Sequence, residues 1–410
     1  MEGYHADSSS SRFRTLEEAR THALQSLAIL EGTATRNNAR REIDDVQCVV
    51  SPSTRGLLGD NDTLMYVFNF SNNAGFSIIS ANKACDPLIA VTEKGHYLYG
   101  EASGIGAFDK FMQGVTEMLE NEEEPEEPEG PVDPETPGRQ GTYPRDTVIT
   151  YQYNNSVLPL IPVIWGQTGI YGQYCPNGIS GCVATAVGQI MSKFQSPSSF
   201  VASVAMGSDF SSGSTVSLPW TYMVQHVQNH SDSLSCNSAH KNIGALLREI
   251  GKRVHMVYYE DCSGAYSAFV PYTLTTFGYV SDALSTATIS GITSSLDNGR
   301  PVYLSGYSDE VESGHAWVCD GYIDYSYTME IWEVSTLAQL PPAQWELVSS
   351  DIIERHVLHF NWGWDGYCNG YYNFGIYGGV PETLDDPMDS SDMYSFSNDV
   401  EVITNIRPNT

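Results

Sequence analysis

An acidic, proline-rich segment limits what this chain can fold into. Residues 120–136 carry nine acidic side chains and no basic one, with four prolines spaced three residues apart. Such a segment cannot bury enough apolar surface to form a core, and its like charges and prolines keep it extended. We therefore predict two folded units, residues 1–119 and residues 146–410, joined by a linker over residues 120–145.

The first unit has the sequence pattern of a small α+β domain. A capping-box pair, Thr15 and Glu18, precedes apolar residues at helical spacing and predicts a helix over residues 15–30. A second helical pattern covers residues 108–119, and Asn72–Gly75 predicts a hairpin turn. Strands are predicted at Gln47–Val50, Leu64–Phe70, Gly75–Ser80, Leu88–Val91 and Tyr97–Tyr99.

The second unit places its helices before most of its strands. A strand is predicted at Val148–Tyr151, and helices are predicted near Gly181 and over Lys241–Gly251. The remainder is rich in Tyr, Val and Gly with turn signals, which favours strands. The pattern predicts an α+β unit with a helical half followed by an antiparallel sheet half.

Cys182 is the first candidate catalytic residue. It follows Gly181 at the start of a helix-compatible run, and Ser180 is predicted to cap that helix. Free N–H groups and the positive end of the helix dipole favour a thiolate in the first turn, so we expect a lowered thiol pKa. A lone cysteine is most often a small buried apolar residue, so the assignment depends on partners.

Three further residues complete a candidate site. His315 lies far from Cys182 in the sequence, so the two must meet in the folded structure, as the dyad of a thiol protease does. Asn361 can orient the His315 ring by a hydrogen bond. Gln167 can donate to a developing oxyanion together with the Cys182 backbone N–H.

Other histidines and cysteines compete with these residues for a role in the site. His359 shares a strand face with Asn361 and rivals His315 on geometry alone; we prefer His315 because its small neighbours leave room for a substrate. His356 faces the side opposite to His359, so the pair cannot bind one ion together. Cys262 is a second thiol that we take as structural. No Cys-x-x-Cys pair or His-Glu-x-x-His motif occurs, so we expect no metal and no cofactor.

Together these motifs resemble the streptopain family of papain-like cysteine peptidases, which are secreted bacterial enzymes made as zymogens. The resemblance spans residues 163–372 and rests on four segments in the family's order: WGQ with Gln167, GCVATAVGQIM with Cys182, GHAWVCDGY with His315, and NWGWDG with Asn361 and Trp362. Residues 66–81 also resemble the family's N-terminal propeptide. Ser313 and Asp365 depart from the pattern, since the family usually has glycine at both positions.

The resemblance implies a papain-like catalytic domain preceded by a small α+β propeptide domain. Cys182 and His315 would form the dyad, Gln167 and the Cys182 N–H the oxyanion hole, and Asn361 and Trp362 would support the site, Trp362 by shielding the dyad from water. The substrates would be proteins or peptides, with a hydrophobic preference at the second residue before the cut.

The propeptide would be an intramolecular inhibitor. The resemblance and the linker composition together predict that residues 1–119 cover the catalytic cleft in an inactive zymogen. Activation cleavage is expected between Glu120 and Arg145, where Arg139 and Arg145 are the candidate sites for a basic-specific activator.

Composition narrows the partners and the compartment. A net charge of −30 argues against nucleic acid and anionic membranes as partners, and no run approaches the ~20 apolar residues of a membrane span. The N-terminus, which begins Met1-Glu2-Gly3-Tyr4-His5, has no apolar h-region, so no signal peptide is predicted in the sequence as given. The resemblance implies an extracellular, cell-surface or periplasmic location. The eight cysteines are too sparse for a disulfide scaffold, so mostly free, buried thiols are expected.

Two other functions stay open at this point. An amidase or a transglutaminase-like enzyme on a related fold would use similar chemistry, but such enzymes typically have Asp as the third member, where this chain has Asn361. A catalytically inactive secreted binding protein would keep the fold, but the presence of Cys182, His315 and Gln167 argues against a lost activity.

Overall fold

The computed structural model describes residues 13–34, 41–50, 63–83, 85–101, 106–121, 145–227, 238–308, 313–334, 345–373 and 400–409. In the first unit the elements are α1 (Leu16–Ala34), β1 (Ile43–Val50), β2 (Thr63–Phe70), β3 (Phe76–Ser80), β4 (Leu88–Thr92) and α2 (Gly106–Asn121). The predicted helices and the first four predicted strands are confirmed.

Local hydrogen bonds explain why these elements begin and end where they do. The capping box at α1 is confirmed, because the Thr15 N–H donates to Glu18 at 2.6 Å and the Glu18 N–H donates to the Thr15 hydroxyl at 3.2 Å. The hairpin turn is also confirmed, with Asn72 and Asn73 at φ values of 61° and 54°.

The strand predicted at Tyr97–Tyr99 is wrong. The Asn69 side chain donates to the Tyr97 carbonyl at 2.9 Å and accepts from the Tyr97 N–H at 2.8 Å. The Tyr99 N–H donates to Gln47 at 2.7 Å. Side chains therefore satisfy the backbone groups that a ladder would otherwise pair.

In the second unit, long strands follow a set of helices. The helices are α3 (Cys182–Phe194), α4 (Trp220–Val227), α5 (Ser238–Arg253), α6 (Val270–Thr276) and α7 (Ile289–Asp297). The strands are β5 (Arg145–Val157), β6 (Ser199–Val201), β7 (Thr215–Ser217), β8 (Val257–Tyr258), β9 (Ser263–Gly264), β10 (Tyr279–Val280), β11 (Ser285–Thr286), β12 (Val302–Ser308), β13 (Ser313–Val334), β14 (Trp345–Asn361), β15 (Gly370–Asn373), β16 (Glu401–Ile403) and β17 (Arg407–Pro408). The predicted helical half and antiparallel sheet half, and so the α+β class, are confirmed.

The two units share one antiparallel sheet. Its strand order is β1-β2-β3-β4-β15-β14-β13-β12-β16-β11, and β5 pairs with β13 outside this path. The junction is the ladder between β4 and β15, in which Val91 lies opposite Tyr371 and Ala90 opposite Tyr372. The first unit is thus hydrogen-bonded, strand to strand, to the second.

Helices cover both faces of this sheet. The α1 side chains of Ala19, Ala23 and Leu27 are buried against one face. The same cluster contains side chains from β2 and β3 of the first unit and from β13 and β14 of the second. On the opposite face, α2 and α7 are buried with residues of both units. Each unit therefore buries apolar surface against the other. Such burial stabilises the folded state by about 25 cal/mol for each Å² of apolar surface removed from water.

A separate group of buried apolar side chains forms the core of the helical half. Helix α3 is buried almost all round, and its side chains pack against α5 and against Tyr303, Ala316 and Val318 of the sheet. This packing brings the first residue of α3, Cys182, beside β13.

Two predictions concern the linker and the cysteines. Residues 122–144, and so Arg139, lie outside the described residues, while Arg145 begins β5 and pairs with Glu333. Seven of the eight cysteines lie in the described segments, and none of these seven forms a disulfide. Only Cys175, Cys319 and Cys368 are buried, so the expectation of buried thiols holds for these three.

Among the helices that the structure describes, none combines the length and the apolar character needed to cross a bilayer.

Candidate active site

Helix α3 begins at Cys182 without a side-chain cap. The N-cap residue is Gly181, with φ 85° and ψ 149°. A Cβ there would lie 2.8 Å from Met256 Cε and 3.1 Å from the Ser263 carbonyl, so only glycine fits this entry to the helix. The prediction that Ser180 caps the helix is wrong, because its hydroxyl donates to the Gln167 carbonyl at 3.2 Å and lies 3.1 Å from the Thr185 hydroxyl.

The Cys182 thiol is half-buried at the first turn of α3, as predicted. Burial raises its pKa, and hydrogen bonds from the N–H groups of Ala316 and Val183 offset only part of that effect. The expected lowering of this pKa is therefore not found in this conformation. The helix terminus alone does not overcome the burial.

His315 lies near the start of β13, in a stack of three indole rings. Its ring centroid is 4.9 Å from that of Trp364, 5.9 Å from that of Trp362 and 6.1 Å from that of Trp317. Its Nε2 donates to the Trp362 carbonyl at 3.1 Å. Burial lowers the pKa of His315 to about 4, so the imidazole is neutral, and this tautomer leaves Nδ1 able to accept a proton.

The structure brings the elements that carry Cys182 and His315 together but does not join the two side chains. The Ala316 N–H contacts the Cys182 sulfur, and Ala316 belongs to the core around α3. Side chains alternate along a strand, so His315 and Trp317 face the opposite side of β13. No hydrogen bond links Cys182 to His315 in the described part of the chain.

Asn361 does not make the expected hydrogen bond to His315. Its amide donates to the Val163 carbonyl at 2.8 Å, and its oxygen accepts from Gln189 of α3 at 3.0 Å. The backbone carbonyl of the next residue, Trp362, takes the place expected of Asn361 beside His315. Asn361 instead ties the end of β14 to α3.

Gln167 lies close to the start of α3. Its carbonyl accepts from the Ser180 N–H at 2.9 Å, two residues before Cys182. Its half-buried carboxamide makes no hydrogen bond to the described residues. The side chain that was predicted to be an oxyanion donor is thus anchored through its backbone beside Cys182.

His359, the rival of His315, lies in a buried ion pair. Its Nδ1 is 2.6 Å from the Asp320 carboxylate, and its Nε2 is 3.6 Å from Glu93 of the first unit. Burial lowers the His359 pKa, but the Asp320 and Glu93 carboxylates outweigh it and raise the value to about 10. His359 is therefore a charged residue at neutral pH and a poor general base.

Cys262, the second thiol, is exposed. Burial and the neighbouring Asp261 carboxylate raise its pKa, the reverse of what activates a nucleophile.

We expect Asp320→Asn to destabilise the fold by about 3–5 kcal/mol, because it leaves the buried His359 without its counter-charge. His359 has a folded-state pKa of about 10 against 6.5 unfolded, so the ion pair stabilises the fold fully below pH 6.5 and loses this effect as the pH rises towards 10. Denaturant unfolding of both proteins at several pH values measures the difference, which should shrink at high pH.

The matched control is Asp324→Asn. Asp324 pairs with His356 on the same two strands at the same 2.6 Å, but those side chains are 24% and 32% exposed, against 1% and 4% for Asp320 and His359. It should cost about 1 kcal/mol or less. Equal losses from the two variants would contradict the assignment of a buried ion pair.

Two contacts of this region were not predicted from the sequence: the hydrogen bond from His315 to the Trp362 carbonyl and the bridge made by Gln189. The orienting Trp362 carbonyl is a backbone group and has no sequence signature. Gln189 bridges Asn361 and the Trp165 carbonyl, both at 3.0 Å. A polar residue at a core position of the helical pattern could have pointed to it, since buried amides need partners.

The first unit contacts the loop that follows Trp362. Phe108 of α2 packs edge-on against Trp364, with ring centroids 6.5 Å apart. The Lys94 ammonium donates to the Asp365 carbonyl at 3.1 Å, and the Tyr367 hydroxyl donates to the His96 carbonyl at 2.7 Å. The indole stack around His315 is therefore buttressed by residues of the first unit.

Known proteins resemble this chain over most of its length. It is 24% identical over 419 residues to the thiol protease/hemagglutinin PrtT of Porphyromonas gingivalis, a match that covers 92% of this chain and 42% of that protein. It is 24% identical over 385 residues to streptopain of Streptococcus pyogenes serotype M28, covering 88% and 84%. A solved fragment of Prevotella intermedia prointerpain A aligns with a TM-score of 0.48 and 20% identity, covering 89% of this chain and 98% of that one.

Two family models match separate parts of the chain. The Spi protease inhibitor model matches residues 12–117. The model of the peptidase C10 family matches residues 165–372, which is more than half of the 410 residues. The resemblance to the streptopain family, drawn from the four motifs, is confirmed. The chain belongs to the peptidase C10 family.

Proposed function

We propose that this protein is a cysteine endopeptidase made as a latent zymogen, with Cys182 as nucleophile and His315 as general base and acid. The observation that carries the proposal is the contact between Cys182, at the start of α3, and Ala316, the neighbour of His315 in β13. A working dyad requires the start of β13 to move, because His315 faces the side of this strand opposite to Cys182. The family membership supports the same chemistry.

In the active form, His315 takes the proton of Cys182 and gives a thiolate–imidazolium pair. The thiolate attacks a peptide carbonyl, and the Cys182 N–H and the Gln167 carboxamide hold the oxyanion. His315 then protonates the leaving amine, and water hydrolyses the thioester. Nε2 donates to the Trp362 carbonyl in the structure, so Nδ1 is the nitrogen left to take the proton from sulfur once His315 reaches Cys182.

In this proposal the conformation with His315 in the indole stack is the latent form. Residues 1–119 act as an intramolecular inhibitor, residues 120–145 as the linker that is cut, and residues 146–410 as the peptidase domain. The contact of Phe108 with Trp364, and of Trp364 with His315, supports a propeptide that holds the imidazole in the indole stack, away from Cys182.

The substrates are proteins or peptides, and the location is extracellular, at the cell surface or in the periplasm. The inhibitor-like match over residues 12–117 supports an inhibitory propeptide. A covering domain also fits such a location, because a free peptidase would attack the proteins of the cell that makes it.

A thiol-directed peptidyl probe tests the proposal. After the linker is cut and the propeptide removed, the probe should label one cysteine, which mass spectrometry should identify as Cys182. Because Cys262 is exposed and also free, it serves as an internal control: a peptidyl probe should leave it unlabelled, while a small alkylating reagent should modify it. Absence of Cys182 labelling would favour an inactive binding protein.

A further inference from the structure

Asp365 stands in the loop after β14 and contacts the segment that carries Gln167. Its backbone has a φ of 54°, which few residues other than glycine, asparagine and aspartate adopt. A Cβ on Gly166 would lie 2.8 Å from the Asp365 carboxyl carbon, so this carboxylate lies directly against the Gly166 backbone. Gly166 is the residue before Gln167.

Tyr171 joins the same contact from the other side. Its side chain is buried, and its hydroxyl donates to the Asp365 carboxylate and accepts from the Gly166 N–H. Burial and the neighbouring carboxylate both raise the pKa of Tyr171, which keeps the hydroxyl protonated as a donor. Asp365, Tyr171 and Gly166 therefore form one hydrogen-bonded cluster.

The cluster completes the anchoring of Gln167. The Gly166 carbonyl accepts from Thr185 of α3 at 3.4 Å, and the Gln167 carbonyl accepts from Ser180 at 2.9 Å. The Gly166 N–H is the backbone group that Tyr171 holds. These contacts fix the Gly166–Gln167 backbone, from which the Gln167 side chain extends.

We propose that Asp365 and Tyr171 are a positioning pair for the oxyanion hole: they fix the Gly166–Gln167 backbone so that the Gln167 carboxamide lies beside the Cys182 N–H. The inference rests on the proposed function and extends it. Neither residue touches the reacting atoms, so their effect passes through Gln167.

The test starts from the full chain, which is cut in the linker and freed of its propeptide. The processed enzyme is then assayed with a fluorogenic peptide substrate. Asp365→Gly removes the carboxylate and suits the left-handed backbone, and thermal unfolding checks that the variant is folded. Tyr171→Phe removes the hydroxyl and keeps the packing ring. Each change should lower kcat about tenfold with KM within about twofold, since a misplaced donor weakens the transition state most.

Three comparisons separate positioning from a merely structural role. Asp365→Asn keeps an acceptor for Tyr171 and should restore kcat to within about threefold of the parent. In a Gln167→Ala background, already about 10²–10³ slower, Tyr171→Phe should have no further effect. Tyr174→Phe is the matched control, because Tyr174 donates to Asp209 at 2.7 Å in the same half of the fold but not at Gly166, and it should keep the parent kcat.

The outcomes are distinguishable. Parent-like kcat in Asp365→Gly and Tyr171→Phe, or an undiminished tenfold loss in the Gln167→Ala background, would overturn the positioning role while the parent enzyme remains active. A processed parent that neither hydrolyses the peptide nor reacts with the peptidyl probe would overturn the proposed function itself, and this inference with it.

Discussion

Replacing Cys182 by alanine should abolish peptide hydrolysis and self-processing, with a loss in kcat of about 10⁶. No other group in the proposed mechanism can form the thioester, so the residual rate is that of bound substrate with water. The fold should survive, because the half-buried thiol serves there only as an acceptor from N–H groups and alanine favours a helix. Hydrolysis, processing on gels and thermal unfolding of the two proteins measure these effects.

Cys262→Ala is the matched control for this change. Both thiols are free and lie in the helical half, but Cys262 is exposed and has no part in the mechanism, so its removal should leave kcat unchanged. Normal self-processing by an isolated Cys182→Ala protein, or a comparable loss in Cys262→Ala, would mean that Cys182 is not the nucleophile.

Most of the local structure could be predicted from the sequence because it depends on nearby residues. The capping box of Thr15 and Glu18, the turn at Asn72 and Asn73, and the start of α3 each follow from a few adjacent residues. The joining of β4 to β15 could not be predicted, since it pairs residues that are far apart in the sequence: Val91 and Tyr371 are separated by 280 positions. Periodicity shows that a strand exists but not which strand it pairs with.

The candidate site likewise has some features that could be predicted from the sequence and others that could not. Sequence motifs pointed to Cys182, His315 and Gln167, and the structure places all three on elements that meet at the start of α3. The Cys182 pKa could not be foreseen, because it depends on burial by distant residues. Nor could the partner of His315, since a motif that contains both Asn361 and Trp362 does not say whether a side chain or a backbone carbonyl makes the bond.

The uncut 410-residue chain should be latent, with peptidase activity about 10²–10⁴ below that of the processed enzyme, because a misplaced His315 removes general acid–base catalysis. The 410-residue form should react slowly with the peptidyl probe and rapidly after limited proteolysis and removal of the propeptide. N-terminal sequencing should place the activating cut between Glu120 and Arg145.

Arg139 is the better of the two basic candidates for this cut. Arg145 begins β5 and is paired with Glu333, and a protease needs an extended, unpaired segment in its cleft. With a basic-specific activator, Arg139→Ala should therefore block activation, whereas Arg145→Ala is the matched control and should leave it intact. Full activity before any cleavage would refute latency, and cuts confined to the first 100 residues would refute the linker assignment.

Cutting the linker should not by itself release the enzyme. The first unit remains paired through the β4–β15 ladder, α1 stays buried against the shared sheet, and Phe108 stays against Trp364. These contacts do not involve the linker, so the two fragments should co-elute after the first cut and stay inactive. Activity should rise only as the propeptide dissociates under dilution or mild denaturant, or is itself degraded. Full activity in a cut complex that still contains the propeptide would show that His315 is not held by Trp364 and Phe108.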